Sequence, residues 1–93
     1  MSERILIVDD DDSLRESLGM LLAAEGHDVL LADRADAALR LLEESPVDLI
    51  LCDLRMPGMD GMELLPQLVR KVPGVTVLMM SAYGSSDLAI EAM

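Results

Sequence analysis

The sequence almost lacks aromatic residues, with one Tyr and neither Phe nor Trp among its 93 residues. Its core must therefore be built from aliphatic side chains and from the eight Met residues. Hydrophobic residues make up 52% of the chain, which is enough for a packed core and excludes a disordered segment. This length suits one domain, so we predict that residues 1–93 form a single folding unit.

Cationic residues are also scarce. Seven Lys and Arg stand against 18 Asp and Glu, which gives a formal net charge of -11. Such a surface repels the phosphates of nucleic acids and the anionic headgroups of lipids. We therefore expect no direct binding to nucleic acid or to a membrane. Divalent cations and basic protein surfaces are the ligands that this charge favours.

Cysteine and long apolar runs are the remaining absences. Cys52 is the only cysteine, so no internal disulfide can form, which fits a reducing compartment. The N-terminal apolar run is too short for a signal peptide or a membrane span, and no basic segment precedes it. We expect a cytoplasmic location.

Four short apolar runs are present, and they are continuous rather than alternating. They cover residues 5–8, 29–32, 49–52 and 75–80. Continuous runs of this length are typical of strands that are buried on both faces of a parallel sheet. Amphipathic helical patterns lie between the runs, and another helix is expected from Ser85–Asp87 onward. The order βαβαβαβα with right-handed crossovers predicts an α/β fold, a three-layer sandwich.

Two helical patterns carry local signals at their ends. The first has a leucine stripe that begins at Leu14, and Gly26 is its predicted stop. The third begins at Asp60 with Glu63 three residues later, which is a capping-box arrangement. Pro66 lies inside this third pattern, so we expect a kinked or shortened helix there.

Acidic residues follow the predicted strands. The run Asp9–Asp12 follows the first, Asp33 follows the second and Asp53 follows the third, while Ser81 follows the fourth. Ligands of open parallel sheets bind outside the carboxyl ends of the strands. If the first and third strands are neighbours, Asp9, Asp10 and Asp53 converge there.

Three converging carboxylates raise one another's pKa and cost stability unless a cation neutralises them. Mg²⁺ suits such a site because it binds carboxylate, carbonyl and water oxygens. A carboxylate beside the ion can attack a phosphoryl group, and a nearby Ser hydroxyl can donate a hydrogen bond to a phosphoryl oxygen. The pattern therefore indicates phosphoryl chemistry.

Three segments resemble the bacterial response-regulator receiver domain: "ILIVDDDDSLR", "LILCDLRMPGMDG" and "VLMMSAYG". The resemblance extends over all 93 residues. It implies a flavodoxin-like fold, with strand order 2-1-3-4 in this chain. Within the family, the segment after Ser81 is most similar to receivers attached to sigma-54-dependent activators. A DNA-binding output region and an activating ATPase would then lie outside this chain.

The resemblance also implies roles for individual residues. Asp53 would accept a phosphoryl group from a sensor histidine kinase. Asp10 would bind Mg²⁺ directly, Asp9 would bind it through water, and the backbone carbonyl of Arg55 would be a further ligand. Ser81 would be the switch hydroxyl that turns toward the phosphoryl group. The chain would catalyse at most its own phosphorylation and dephosphorylation.

Asp11 and Asp12 occupy variable positions of the family, and we expect them to cap the first helix instead.

The sequence departs from the family at its C-terminal side. The family has a fifth strand that ends in a phosphoryl-contacting Lys, followed by a fifth helix, and neither pattern is present. Lys71 is the only Lys, and it lies late in the third helical pattern. The chain therefore resembles a receiver that is incomplete at its C-terminal side. We expect its fourth strand to be an unpaired edge, which predicts weak stability or self-association through that edge.

Two alternatives remain open. Asp9, Asp11, Ser13 and Leu14 form D-x-D-x-S-L, which is similar to the first motif of haloacid-dehalogenase-type phosphohydrolases. In that family, however, a hairpin element usually precedes the first helix, whereas the helical pattern here starts at once. The second alternative is a non-phosphorylated pseudo-receiver that only binds other proteins, which the missing Lys favours.

Overall fold

The computed structural model describes residues 3–54, 61–83 and 87–92, with the backbone alone at residues 61, 81–83 and 87–92. It contains three helices and five strands within these ranges. In chain order they are β1 (Arg4–Val8), α1 (Asp12–Ala24), β2 (Asp28–Ala32), α2 (Ala35–Glu44), β3 (Leu49–Asp53), α3 (Gly61–Lys71), β4 (Thr76–Tyr83) and β5 (Asp87–Ala92).

The sheet has the order β2-β1-β3-β4-β5. Its first four strands are parallel, which confirms the predicted order 2-1-3-4. In the register, Val8 lies beside Cys52 and Asp53 lies beside Met80. The carboxyl ends of β1, β3 and β4 therefore meet at one edge of the sheet.

The three helices cover opposite faces of the sheet. Helices α2 and α3 enclose the larger core, in which Leu6, Ile50, Leu64 and Leu68 are fully buried. Helix α1 covers the other face, where Leu18 and Leu22 pack against a smaller cluster that includes Ile7. This arrangement confirms the three-layer sandwich. The hydrophobic core within it consists of aliphatic residues, Met and Cys.

Both ends of α1 follow the local signals. The Asp11 side chain accepts a hydrogen bond from the Leu14 N–H at 3.1 Å, so Asp11 is the N-cap. At the other end, the Gly26 N–H donates to Ala23 and the His27 N–H donates to Leu22, with Gly26 at a φ of 93°. This pair of bonds is a Schellman motif, which requires a left-handed residue and so explains the glycine.

Helix α3 runs through Pro66 to Lys71, so the helix is not shortened at the proline, and the expected kink stays a prediction. The Arg70 Nε donates to the Pro66 carbonyl at 3.4 Å within the helix. Asp60, the predicted first residue of the capping box, lies outside the described residues.

The segment expected to form a fourth helix is instead the strand β5. It pairs with β4 in antiparallel orientation, with Met80 beside Ile90 and Tyr83 beside Asp87. The prediction of an unpaired β4 edge is therefore also wrong, and with it the basis for self-association through β4. The physical reason is that backbone N–H and C=O groups along a sheet edge need partners, and residues 87–92 provide them.

Within the described residues, none of the helices combines the length and the apolar character that crossing a bilayer would need.

Candidate functional site: an acidic pocket at the carboxyl ends of the strands

The pocket begins at Asp9, the residue directly after β1. Its side chain is only 2% exposed, and it is the one buried charged residue in the described part of the chain. The Asp9 N–H donates to the Ala32 carbonyl at 3.1 Å, which continues the β1–β2 ladder by one residue. Its Oδ1 accepts a hydrogen bond from the Asp11 N–H at 2.9 Å. Asp9 is thus held by its own backbone and by the turn that leads into α1.

Arg15 fixes the same turn from the first helix, a role that the sequence patterns did not reveal. Its Nη1 donates to the Asp9 carbonyl at 2.8 Å, and its Nη2 pairs with Asp12 Oδ1 at 2.6 Å. The Arg15 side chain is 12% exposed, whereas Asp12 is 79% exposed. Asp12 is therefore a helix-start residue that binds Arg15, as the capping prediction for this acidic run implies.

Asp10 and Asp53 complete the pocket. One carboxylate oxygen from each of Asp9, Asp10 and Asp53 lies within 4.8 Å of the others. Asp10 is exposed and Asp53 is half-buried at the end of β3, so the cluster opens toward solvent on one side. The strand order predicted from the sequence brings these three side chains together, since β1 and β3 are neighbours.

The electrostatics of the cluster are unfavourable for three negative charges. Burial raises the pKa of Asp9 above its ordinary value, and the charges of Asp10 and Asp11 add to this effect. Hydrogen bonds to Asp9 from the Asp11 backbone and from the Asp53 side chain oppose the shift. The cluster therefore holds a buried carboxyl group whose ionised form is disfavoured by burial and by its acidic neighbours.

Cys52 lies next to Asp53 and is fully buried. Burial, together with the negative charges of Asp53 and Asp9, raises the pKa of its thiol to about 12. A thiol with such a pKa stays protonated and unreactive at neutral pH. Cys52 is therefore a small buried residue that packs as a hydrophobic side chain beside the site.

The structure describes two of the three remaining residues that the sequence analysis discussed, Ser81 and Lys71, but not Arg55. The backbone of Ser81 follows Met80 in β4, one residue beyond the partner of Asp53, which places Ser81 at the same sheet edge. Arg55, the predicted carbonyl ligand, lies outside the described residues. Lys71 pairs with Glu43 at 2.8 Å at the far end of α3, away from the pocket.

The donor set fits a hard divalent cation. All three side chains offer carboxylate oxygens, which Mg²⁺ prefers, and the open side leaves room for the waters that it keeps. A cation bound there would relieve the repulsion among the three carboxylates. The chemistry of the residues, rather than their number, makes the site a candidate for Mg²⁺.

Comparison with known proteins agrees with this geometry. The family model of the response regulator receiver domain matches residues 5–93. The chain belongs to the response regulator receiver domain family. Two-component phosphoacceptor signalling is the function of this family, and the chain carries the family's fold and its acidic pocket.

Relatives of this receiver domain include larger regulatory proteins. It is 43% identical over 93 residues to the response regulator protein FleR of Pseudomonas aeruginosa. It is 45% identical over 89 residues, or 96% of its length, to the transcriptional regulatory protein ZraR of Klebsiella oxytoca. In both cases it spans about 20% of the relative's length.

Solved structures share the flavodoxin-like fold. A CheY-like receiver domain protein from Methanospirillum hungatei superposes with a TM-score of 0.84 at 36% identity, over 91% of this chain and 68% of that one. NtrX from Brucella abortus superposes with a TM-score of 0.86 at 32% identity, over 91% of this chain and 20% of that one.

The two alternatives gain no support. Helix α1 begins at Asp12 directly after the turn, without the hairpin element of the dehalogenase-type phosphohydrolases. The Asp11 carboxylate, which would be the acid/base of that family, caps the helix instead. A degenerate pocket is not supported either, because the three carboxylates of the receiver pattern come together.

Proposed function

We propose that this receiver domain accepts a phosphoryl group on Asp53 from a sensor histidine kinase, with Mg²⁺ bound between Asp9, Asp10 and Asp53. The convergence of three carboxylates within 4.8 Å, at the ends of two neighbouring strands, is the observation that carries the proposal. The Arg55 carbonyl completes the proposed ligand set, and Ser81 is the proposed switch hydroxyl.

In the proposed transfer, a carboxylate oxygen of Asp53 attacks the phosphorus of the phosphohistidine. An O–P bond forms while the N–P bond breaks, and the leaving imidazole nitrogen takes up a proton. Bound Mg²⁺ supplies positive charge that stabilises the phosphoryl oxygens.

The chain's own residues supply position rather than acid-base chemistry. Arg15 and the Asp11 N–H hold Asp9 through its carbonyl and its carboxylate, so the Asp9 side chain is oriented before any ligand binds. Asp53 is the last residue of β3 and follows the buried Cys52, so the sheet fixes the position of its backbone. Such preorganisation lowers the cost of assembling the pocket at the moment of transfer.

We propose that residues 1–93 form a receiver domain that works together with an output region, since the chain spans about 20% of the length of FleR and ZraR. FleR is a response regulator protein and ZraR is a transcriptional regulatory protein, which supports an output region that regulates transcription; we propose the sigma-54-dependent type, with an activating ATPase and a DNA-binding domain. The signal would pass from Ser81 along β4 to that region or to a dimer partner. The protein would act in the cytoplasm, and its catalysis would be limited to its own phosphorylation and dephosphorylation.

The proposal is tested by incubating the protein with Mg²⁺ and acetyl phosphate, and by measuring the acid-stable mass gain of a phosphoryl group. We expect the gain in the wild type and in Asp11→Asn, and its loss in Asp53→Asn. Asp11→Asn is the matched control, because asparagine also caps a helix and the charge change is the same.

Retention of the phosphoryl group in Asp53→Asn together with its loss in Asp11→Asn would favour the phosphohydrolase instead. Absence of the gain in every variant, including the wild type, would favour a pseudo-receiver.

A further inference from the structure

Strand β2 is an edge of the described sheet, and its outward backbone groups can be assigned. The Asp28 N–H donates to the Glu3 carbonyl at 2.9 Å, and the Ala32 carbonyl accepts from the Asp9 N–H at 3.1 Å. In a parallel ladder, alternate residues bond to the same neighbour. Residues 28, 30 and 32 therefore face β1, and the N–H and C=O groups of Val29 and Leu31 point away from the sheet.

The side chains of the same two residues border an apolar groove beneath α1. Gly19 makes room for this contact, since a Cβ there would lie 3.2 Å from Leu31 Cδ2 and 3.8 Å from Val29 Cγ1. The groove has a volume of about 370 Å³. Its lining residues are Glu16, Gly19, Met20, Ala23, Val29 and Leu31.

The groove is open to solvent and apolar, which is an unusual combination for a surface. Met20 is 73% exposed and Leu31 is 41% exposed. Exposed apolar side chains that cluster in this way, with a polar rim, mark interaction sites. Neither residue belongs to the acidic pocket.

The groove and the open edge suit one kind of ligand geometry. A strand added outside β2 would bond to the outward groups of Val29 and Leu31. Its alternate side chains would then lie beside those of Val29 and Leu31, on the α1 face and inside the groove. A helix could fill the groove but would leave the backbone groups of the edge without partners.

Charge distinguishes the occupant. Glu16 is the one charged residue among the lining residues, and the whole chain carries a net charge of -11. A second copy would bring its own Glu16 and its own negative field against the first, which opposes pairing of two β2 edges. A peptide with basic residues beside its apolar ones is complementary to both features.

We propose that the β2 edge and the groove beneath α1 bind an extended, basic segment of a partner protein by strand addition. The inference is independent of the proposed phosphoacceptor role, because it uses none of the pocket residues. It adds a second interaction surface to the molecule, on the lateral side of the sheet.

The test uses the peptide Ac-Arg-Val-Thr-Val-Thr-Val-Arg-NH2 and the ¹⁵N-labelled protein. We expect amide shifts at Val29 and Leu31. Met20→Glu should weaken binding by about tenfold or more, because an apolar residue that lines the groove is replaced by a charged one. Met62→Glu is the matched control, since Met62 is 48% exposed on α3 and the added charge is the same. Its affinity should stay within about twofold, in keeping with a site away from the groove.

Non-specific attraction between a basic peptide and an acidic protein gives a different result. Met20→Glu would then bind as tightly as Met62→Glu or more tightly, and that outcome overturns the proposal. Shifts confined to Asp9, Asp10 and Asp53, or no binding at millimolar peptide, overturn it as well.

Two further measurements separate strand addition from other modes. N-methylation of the peptide on one alternating set of amides should abolish binding, while methylation of the other set should leave it, because only one set faces β2. Equal effects of both sets contradict strand addition. If sedimentation shows self-association that Met20→Glu removes, the occupant is a second copy and the proposal is wrong.

Discussion

Acidic residues lie at both ends of the parallel sheet, but their partners differ between the two ends. At the amino ends of the strands, Arg4 binds both of its acidic neighbours. Its guanidinium Nε pairs with Asp28 at 3.0 Å, and its backbone N–H donates to the Asp48 carboxylate at 2.9 Å. At the carboxyl ends, Asp9, Asp10 and Asp53 approach one another, and the nearby Arg15 binds Asp12 and a backbone carbonyl instead.

The difference distinguishes a structural use of acids from a functional one. The acidic residues at the amino ends are exposed and paired with Arg4, so they change the free energy of folding little in either direction. Acids at the carboxyl ends include a buried one whose pKa is raised by that burial, which costs folding free energy until a cation binds. Carboxyl groups with shifted pKa values cluster at functional sites, where a bound ligand can offset the cost of their burial.

The largest expected effect concerns Arg15. Arg15→Ala removes two hydrogen bonds of a nearly buried guanidinium, and we expect it to lower the free energy of unfolding by about 2 kcal/mol. Urea denaturation followed by circular dichroism measures this. Arg34→Ala is the control, because Arg34 forms a 65% exposed ion pair with Asp36 and should cost less than about 0.5 kcal/mol. Equal losses in the two variants would show that Arg15 does not hold the pocket.

Metal binding should be the next largest effect. At Mg²⁺ tenfold above its dissociation constant, mass action predicts stabilisation by about 1.4 kcal/mol. We expect Asp10→Asn to remove this gain and Asp12→Asn to retain it, since Asp12 lies outside the carboxylate cluster. Thermal unfolding with and without Mg²⁺ provides the measurement. If the melting temperature of the wild type is the same with and without Mg²⁺, the proposed metal site is contradicted.

The pH dependence without metal follows from Asp9. Its pKa is higher in the folded than in the unfolded chain, so the folded chain binds more protons between the two values. In EDTA, the contribution of Asp9 to stability should therefore fall as pH rises from its ordinary pKa through its raised folded pKa. Asp9→Asn should flatten that part of the profile in urea titrations at successive pH values. A profile that is unchanged in the variant would assign the pH dependence to other groups.

The smallest effect is expected at the amino ends. Asp28→Asn breaks an ion pair whose side chains are 42% and 60% exposed, and it should change the unfolding free energy by less than about 0.5 kcal/mol. Added salt should reduce even this change, because exposed charges are screened. A loss as large as that of Arg15→Ala would remove the contrast between the two ends of the sheet.

Much of the architecture could be predicted because its signals are local. The run at residues 49–52 lies within β3, and the glycine stop of α1 is the φ-positive residue of a Schellman motif. Each signal depends on residues a few positions apart, such as an apolar run or a cap. The convergence of Asp9 and Asp53 needed one further rule, the topology of parallel sheets.

Other features depended on contacts that are distant along the chain. Residues 87–92 lie in the segment expected to form a helix, and the open edge of β4 decides for the strand instead. Local propensity is weak compared with the need to pair a row of backbone groups. Arg15 gave no signal either, because its bond to the Asp9 carbonyl depends on how the turn after β1 folds back on α1.

The sequence by itself determined the first four strands, the helices between them, the acidic character of the surface and the residues of the acidic pocket. These features depend on short-range periodicity and on side-chain chemistry, both of which can be read directly from neighbouring residues. The tertiary structure alone decided how these parts meet: the role of Arg15, the burial of Asp9, the pairing of β5 and the open groove beside β2. Each of these depends on distances between elements, which no local pattern encodes.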